Sequence, residues 1–395
     1  MKAALIPFEL WFLYEDDYDD IVLLEANYNL AMAEIKRQIA ENSIDTIIGE
    51  MWADGWAYKD IDEWYDFLHR VETQSRKLGI KHFYLGVGQC HDYQEKLNDK
   101  GLSYRILDYH WAVQEVQNNN KQNILPWNSN TGKFLFLGGA PARPKRIGML
   151  SKFYDEGMLS NAEWSFYPPW TPEDKTWCRN YLGHYTDYKY KKFLKDCTRE
   201  IDPYYKQIAE YSRMSGKELA DKQVFQQHWW KTVGYIDNTV FQNTSLSIVN
   251  EGPGNDTRFL TEKLWQTVFN NHPFILVDNP ERFQYCKDIG LRMFEDYVAI
   301  KDYGYIENPE QQMIAVVENT KYFLNNLPAF ADRVKKDIEH NRQVYFSLVE
   351  HNTQLKDFMQ KILAKTDIHK YLSTEYLGSY NRIPRLCDIP KHKDI

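Results

Sequence analysis

Leu246-Ser-Ile-Val-Asn-Glu251-Gly-Pro-Gly-Asn-Asp-Thr-Arg-Phe-Leu-Thr-Glu262-Lys263-Leu-Trp265 reads as strand, tight loop and helix. Ser247 to Val249 is a short strand-like run, and Gly252-Pro253-Gly254-Asn255 is turn chemistry. Asp256 or Thr257 stands where it can cap a helix that continues through Leu264, Val268 and Phe269. A junction of this kind suits an anion, because the first amides of a helix lack intrahelical partners and sit at the positive end of its dipole. Arg258 and Lys263 would add full charges. A capped core helix with a solvated Arg and Lys has the same spacing, so the junction alone leaves both readings open.

A second junction lies upstream. Lys133-Phe-Leu-Phe-Leu-Gly-Gly139 is a buried-strand pattern, and Ala140-Pro-Ala-Arg143-Pro-Lys145-Arg146 leads into an amphipathic helix over Ile147 to Tyr154. Pro141 and Pro144 also make this a rigid turn without any ligand. In the first third of the chain, strand-like Ala3 to Pro7, Thr46 to Glu50, His82 to Val87 and Tyr104 to Leu107 alternate with helical patterns about Ile21 to Ala40 and Ile61 to Leu78. Such alternation predicts a parallel sheet covered on both faces. Polar, turn-rich Asn118 to Asn123 and Pro126 to Gly132 mark a linker. Helices dominate from Pro328 to about Ala364. The expected class is α/β with two Rossmann-like parallel-sheet domains, at 1–125 and 126–335, followed by a helical extension at 336–395.

The order Glu251, short loop, Phe259-Leu-Thr-Glu262-Lys263-Leu resembles the donor-binding motif of the alpha-fucosyltransferases. The similarity spans roughly Lys133 to Tyr297 and extends to glycosyltransferases of large tailed phages. It implies the two-domain architecture called GT-B, with the two sheets facing a cleft, and a nucleoside-diphosphate sugar as co-substrate with no further cofactor. It also implies that Glu262 and Lys263 hold ribose and diphosphate, with Glu251 and Phe259 at matching positions. Arg146 matches the arginine that contacts the diphosphate at the start of the first donor-domain helix, with Arg143 second. The chain departs from the motif where Gly252-Pro253 replaces Asn-Ser and where Phe259 replaces Tyr. The sugar, and the choice between UDP and GDP, therefore stay open.

Composition narrows the class. The 395 residues, 43% hydrophobic, suffice for two ordinary cores, and a net charge of −8 argues against a general nucleic-acid coat. Five widely spaced cysteines without a CxxC pair point to reduced thiols and a cytoplasmic setting. Ala3 to Leu13, broken by Pro7 and Glu9, is too short for a membrane span. Asp17/Asp19 and Asp60/Asp62 are spaced like a metal-binding Asp-x-Asp pair, but each falls at a predicted helix start, where Asp is favoured electrostatically. No metal is expected.

An inverting transfer needs a base at the acceptor hydroxyl. Glu50 and Asp54, after the strand beginning at Thr46, are the candidates, followed by Asp108, His110 and His91. Tyr188-Lys-Tyr-Lys-Lys192 interleaves cations with aromatics, as a phosphate backbone would favour, although a solvated helix face looks the same. The acceptor is thus expected to be a hydroxymethylated base of DNA or, alternatively, a lipopolysaccharide, glycan or protein.

Overall fold

The computed structural model of the protein describes residues 1–8, 20–51, 62–87, 93–119, 124–138, 144–166, 238–251 and 260–363. The chain divides into two compact units, Met1–Gln114 with Val349–Ile395, and Glu115–Leu348.

The first unit alternates β1 (Ala3–Pro7), α1 (Asp20–Asn42), β2 (Thr46–Met51), α2 (Asp62–Lys77), β3 (His82–Val87), α3 (Tyr93–Asp99), β4 (Arg105–Asp108) and α4 (Trp111–Asn119), the last helix crossing into the second unit. Its sheet is all parallel in the order β1-β2-β3-β4. Right-handed crossovers in such an unreversed order place every connecting helix on one face. Contacts agree: α1 and α2 touch through Arg70 with Glu25 and Ser75 with Met32. Ala4, Ile6, Ile47, Phe83 and Leu85 share one buried cluster with Ile35 of α1 and Trp64, Leu68 and Val71 of α2.

Covering the opposite face falls to the end of the long last helix, α9 (Pro309–Ile362). Phe358 packs edge-on against Tyr84 of β3 at 6.0 Å, and Leu363 bridges to Ala3. The Asn352 carboxamide accepts from the His110 amide and donates to its carbonyl, both at 2.9 Å. Both faces are therefore covered, as the alternation predicted, but the alternating helices supply only one layer. The sequence-based division sets 336–395 apart, whereas this segment contributes to both compact units.

The second unit contains β5 (Phe134–Gly138), α5 (Pro144–Asp155), β6 (Ala162–Phe166), α6 (Asn238–Gln242), β7 (Leu246–Asn250), α7 (Glu262–Phe269), β8 (Phe274–Val277), α8 (Pro280–Asp288) and α9 (Pro309–Ile362) as far as Leu348. Its parallel strands run β6-β5-β7-β8. Strands β7 and β8 are buried along their whole length, as strands covered on both faces should be. On one face Phe134 and Phe136 meet Phe153 of α5. Helix α9 approaches α5 closely because Gly148 has no Cβ; one would lie 2.7 Å from the Met313 sulfur.

Two expectations need correction. The helix after β7 starts at Glu262 and is capped by Thr261, while Asp256 and Thr257 lie outside the described residues. The last helix does not begin near Pro328 but runs through it. That proline lacks an amide and costs roughly 3 kcal/mol in a helix interior. Burial of Phe323, Leu327 and Phe330 around it, with the Phe330 ring tilted against Tyr297 at 5.1 Å, offsets the loss.

Candidate functional site

The second sheet reverses direction between β5 and β7: from β5 the chain goes to β6 on one side, and later strands build on the other. Ligands of open α/β sheets bind at the carboxyl ends of the strands flanking such a reversal. Here the strands also part. The β5–β7 ladder stops at Phe136↔Ile248, two residues before each strand ends, whereas β5–β6 continues to Gly138↔Phe166 and β7–β8 to Asn250↔Val277.

Charged side chains collect at this end. Glu251, immediately after β7, is 2% exposed, and its carboxylate accepts from the Thr261 amide at 3.1 Å and the Leu264 amide at 3.3 Å. The Thr261 hydroxyl accepts from the Lys263 amide at 3.3 Å. These three amides of the α7 start are thus already paired, and the negative end they attract is Glu251 itself. An anion here meets side-chain cations instead, so the sequence-based picture of a bare helix terminus is corrected.

Burial pushes the Glu251 carboxyl above its ordinary value, opposed by Lys263 and the Thr261 hydrogen bond. The Lys263 ammonium donates to Glu262 at 2.6 Å and to the Thr261 hydroxyl at 3.2 Å, with about a quarter of its side chain exposed. Arg146, in the first turn of α5, is 3% exposed. Burial pulls its guanidinium below the ordinary value, and the carboxylates of Glu262 and then Glu251 oppose that shift. The structure therefore brings Arg146, Glu251, Glu262 and Lys263 into one electrostatic cluster, although 117 residues separate the outermost two. Arg143, Arg258 and Phe259 lie outside the described residues.

Asp278 and Arg282 were not singled out as site residues from the sequence. Arg282 donates to both Asp278 oxygens, at 2.8 and 3.1 Å, and both side chains are 2% exposed. Asp278 follows β8 and acts on Glu251 electrostatically, as does Arg282. A signal was present: Asp278-Asn-Pro-Glu-Arg282 places acid and base one helical turn apart at a strand-to-helix junction. Asn250, the last residue of β7, is also buried.

In the first unit, Glu50 lies in β2, paired with Pro7 and Gly86 near the carboxyl end of its sheet. Asp54 and His91 lie outside the described residues. Asp108 ends β4, and His110 is buried with Nε2 3.8 Å from the Asp108 carboxylate. Among the described residues no cluster of three or more His, Cys, Asp or Glu is arranged to hold a metal, and no helix is long and apolar enough to cross a membrane. Asp62 opens α2 and pairs with Lys100 at 2.6 Å; Asp17, Asp19 and Asp60 lie outside the described residues.

No family model matches the chain, and no curated protein does. Among solved structures the chain is similar to a DNA-modifying β-glucosyltransferase studied with and without uridine diphosphoglucose, at 12% identity and a TM-score of 0.34, covering 92% of this chain and 99% of that one. It is also similar to a UDP-forming α,α-trehalose-phosphate synthase from Burkholderia xenovorans, at 11% identity and a TM-score of 0.39, covering 90% and 83%.

Proposed function

We propose that the chain is a nucleotide-sugar-dependent glycosyltransferase of GT-B type whose second unit holds the donor. The observation that carries this reading is the convergence of Arg146, Lys263, Glu262 and Glu251 where β5 and β7 part. Cations fixed there suit a diphosphate, and a carboxylate beside them suits ribose hydroxyls. The donor-motif resemblance assigns the same residues to the same roles.

In the proposed reaction the anomeric C–O bond breaks and its electron pair leaves with the diphosphate. The acceptor hydroxyl oxygen forms the new bond to the anomeric carbon, and a carboxylate of the first unit, Glu50 or Asp54, takes the proton. Lys263 and Arg146 offset the growing diphosphate charge, and removing one such preorganised donor typically costs ~3 kcal/mol of the barrier. Lys263 is the better placed to act, because part of its side chain reaches solvent and its present partners are one carboxylate and one hydroxyl.

Calorimetric titration with UDP and GDP tests the donor assignment. Lys263→Ala should weaken binding by about 1.5–3 kcal/mol; affinity unchanged for both nucleotides refutes it. Consumption of a nucleotide sugar separates an enzyme from a non-catalytic nucleotide-binding module. Turnover that survives EDTA agrees with charge neutralisation by side chains, while rescue by Mn²⁺ returns attention to the Asp17/Asp19 and Asp60/Asp62 pairs.

For the acceptor we propose hydroxymethylated DNA in a cytoplasmic setting, supported by the basic, aromatic Tyr188 to Lys192 run in an otherwise acidic chain. That run lies outside the described residues. DNA affinity should fall steeply with salt, and removing Lys189, Lys191 or Lys192 should flatten the logarithmic slope by about 0.9. Sugar found on glycans but never on the modified duplex favours the glycan alternative.

A further inference from the structure

Asn250 contradicts the ordinary behaviour of a buried amide. It is 2% exposed, and neither its Nδ2 nor its Oδ1 has a hydrogen-bond partner among the described residues. Buried polar groups are nearly always paired, and leaving one unpaired is costly. A donor and an acceptor left unpaired on the same side chain therefore need a reason.

Its place in the sheet supplies one. Side chains alternate along a strand, and registered neighbours in a parallel sheet share a face. Ser247 bonds His272, and Glu251, beyond the strand end, bonds the start of α7. Leu246 and Ile248 lie alternate to Ser247, in register with Phe134 and Phe136, which pack on α5. Asn250 continues that second row, on the α5 side of the sheet, whose first helical turn carries Arg146. The next registered position on β5 is Gly138, which adds no side chain, and there the β5–β7 ladder has already ended. Asn250 thus stands at the parting of the strands, with the α5 layer and Arg146 on its side and Glu251 on the other.

A carboxamide in this position selects among ligand groups. A phosphate oxygen satisfies only its N–H, leaving Oδ1 unpaired. A pair of adjacent hydroxyls satisfies both, one accepting from Nδ2 and the other donating to Oδ1. We propose that Asn250 is a donor-specificity residue that binds a vicinal diol of the nucleotide sugar, while the neighbouring cations take the diphosphate. This rests on the glycosyltransferase reading above. The diol is that of the ribose or that of the transferred hexose.

The test uses the full chain and the variant Asn250→Leu, which keeps the number and branching of the side-chain heavy atoms and removes both polar ones. Ligand-free Asn250→Leu should melt at or above the wild-type temperature, because two unpaired buried atoms are gone. Both proteins are titrated with UDP and GDP, with the 2′,3′-dideoxy forms of each, and with UDP-glucose and GDP-fucose. If the ribose is the source, wild type binds the ribonucleotide roughly tenfold more tightly than the dideoxy form, and Asn250→Leu loses that preference. If the hexose is the source, the preference lost is that for sugar nucleotide over parent diphosphate. Unchanged affinities in Asn250→Leu overturn the proposal while the donor reading stands. An equal loss for every probe, or a lowered melting temperature, shows a structural amide and also overturns it. Wild type that binds no probe overturns the donor reading itself.

Discussion

The two sheets are built alike and finished differently. Among the described residues both are four-stranded and parallel, yet the first keeps its strands in sequence order and the second reverses after its first strand. An unreversed sheet gathers its crossover helices on one face and depends on a distant segment for the other, here the end of α9. A reversed sheet covers both faces locally and opens a gap between the strands where direction changes. The charged and polar residues follow that difference. At the carboxyl end of the second sheet Glu251, Arg146, Asp278, Arg282 and Asn250 are all nearly inaccessible. In the first unit the described core between sheet and helices is aromatic and aliphatic, with Phe8 set against Trp64, Phe67 and Tyr104. Where a sheet reverses, burial and charge coexist.

The largest expected effect comes from separating a buried pair. Arg282→Met leaves Asp278 in a site 2% exposed without its cation, and losing one partner of such a pair typically costs about 3–5 kcal/mol. Urea unfolding of the second unit should show this. Replacing both partners together with apolar residues of similar volume should cost less, because no charge is then stranded. A single variant as stable as wild type would mean that the carboxyl end of this sheet is not held by its ions, and the contrast between the units would collapse.

Next in size is an acid effect. His272 is buried, with Nε2 donating to the Thr244 carbonyl at 2.9 Å and Nδ1 therefore free to accept from the Ser247 hydroxyl at 2.7 Å. Burial lowers its pKa from 6.5 to about 4. A base whose folded pKa lies below the unfolded one binds fewer protons when folded. Stability therefore rises with pH across this window and is lost as pH falls from 6.5 to about 4, by roughly 2–4 kcal/mol. Glu251 acts oppositely: its raised folded pKa makes its contribution shrink as pH rises above the unfolded value. Chemical denaturation at a series of pH values, with His272→Gln as control, separates them. The His272 variant should lose the steep decline between pH 6.5 and 4.

How much of this was legible follows from which forces are local. The alternation of strand and helix is a local pattern, so the parallel sheets could be read from apolar runs such as Phe134 to Leu137. Lys263 could be noted as a cation close to a turn, whereas Glu262 entered only through the donor-motif resemblance. The cap was misplaced because Glu251 supplies two of the acceptors at the α7 start from outside the helix, across ten and thirteen residues, so no Asp or Thr nearer the loop was needed. The continuity of α9 through Pro328 depends on Tyr297 and Phe330, whose contact the sequence does not announce. The covering of the first sheet was illegible for the same reason: Asn352 is one asparagine among many until it meets His110 across 242 residues.

The smallest effect should come from the same chemistry in the open. Arg70 of the first unit donates to both oxygens of Glu25, at 2.7 and 3.2 Å, and lies over the Tyr28 ring at 4.0 Å. On geometry alone it rivals Arg282 with Asp278. Its side chains are 47% and 51% exposed, however, so water screens both charges in the folded state and solvates whichever one is left after mutation. Arg70→Ala should therefore cost less than about 1 kcal/mol, and that small loss should shrink further in 1 M salt, where charges are screened within ~3 Å. Urea titrations of Arg70→Ala and Arg282→Met at low and high salt give the direct comparison. A loss at Arg70 as large as that at Arg282, or one insensitive to salt, would show that pairing geometry and not burial sets the strength of these bonds. The polar end of the second sheet would then have no special claim on stability.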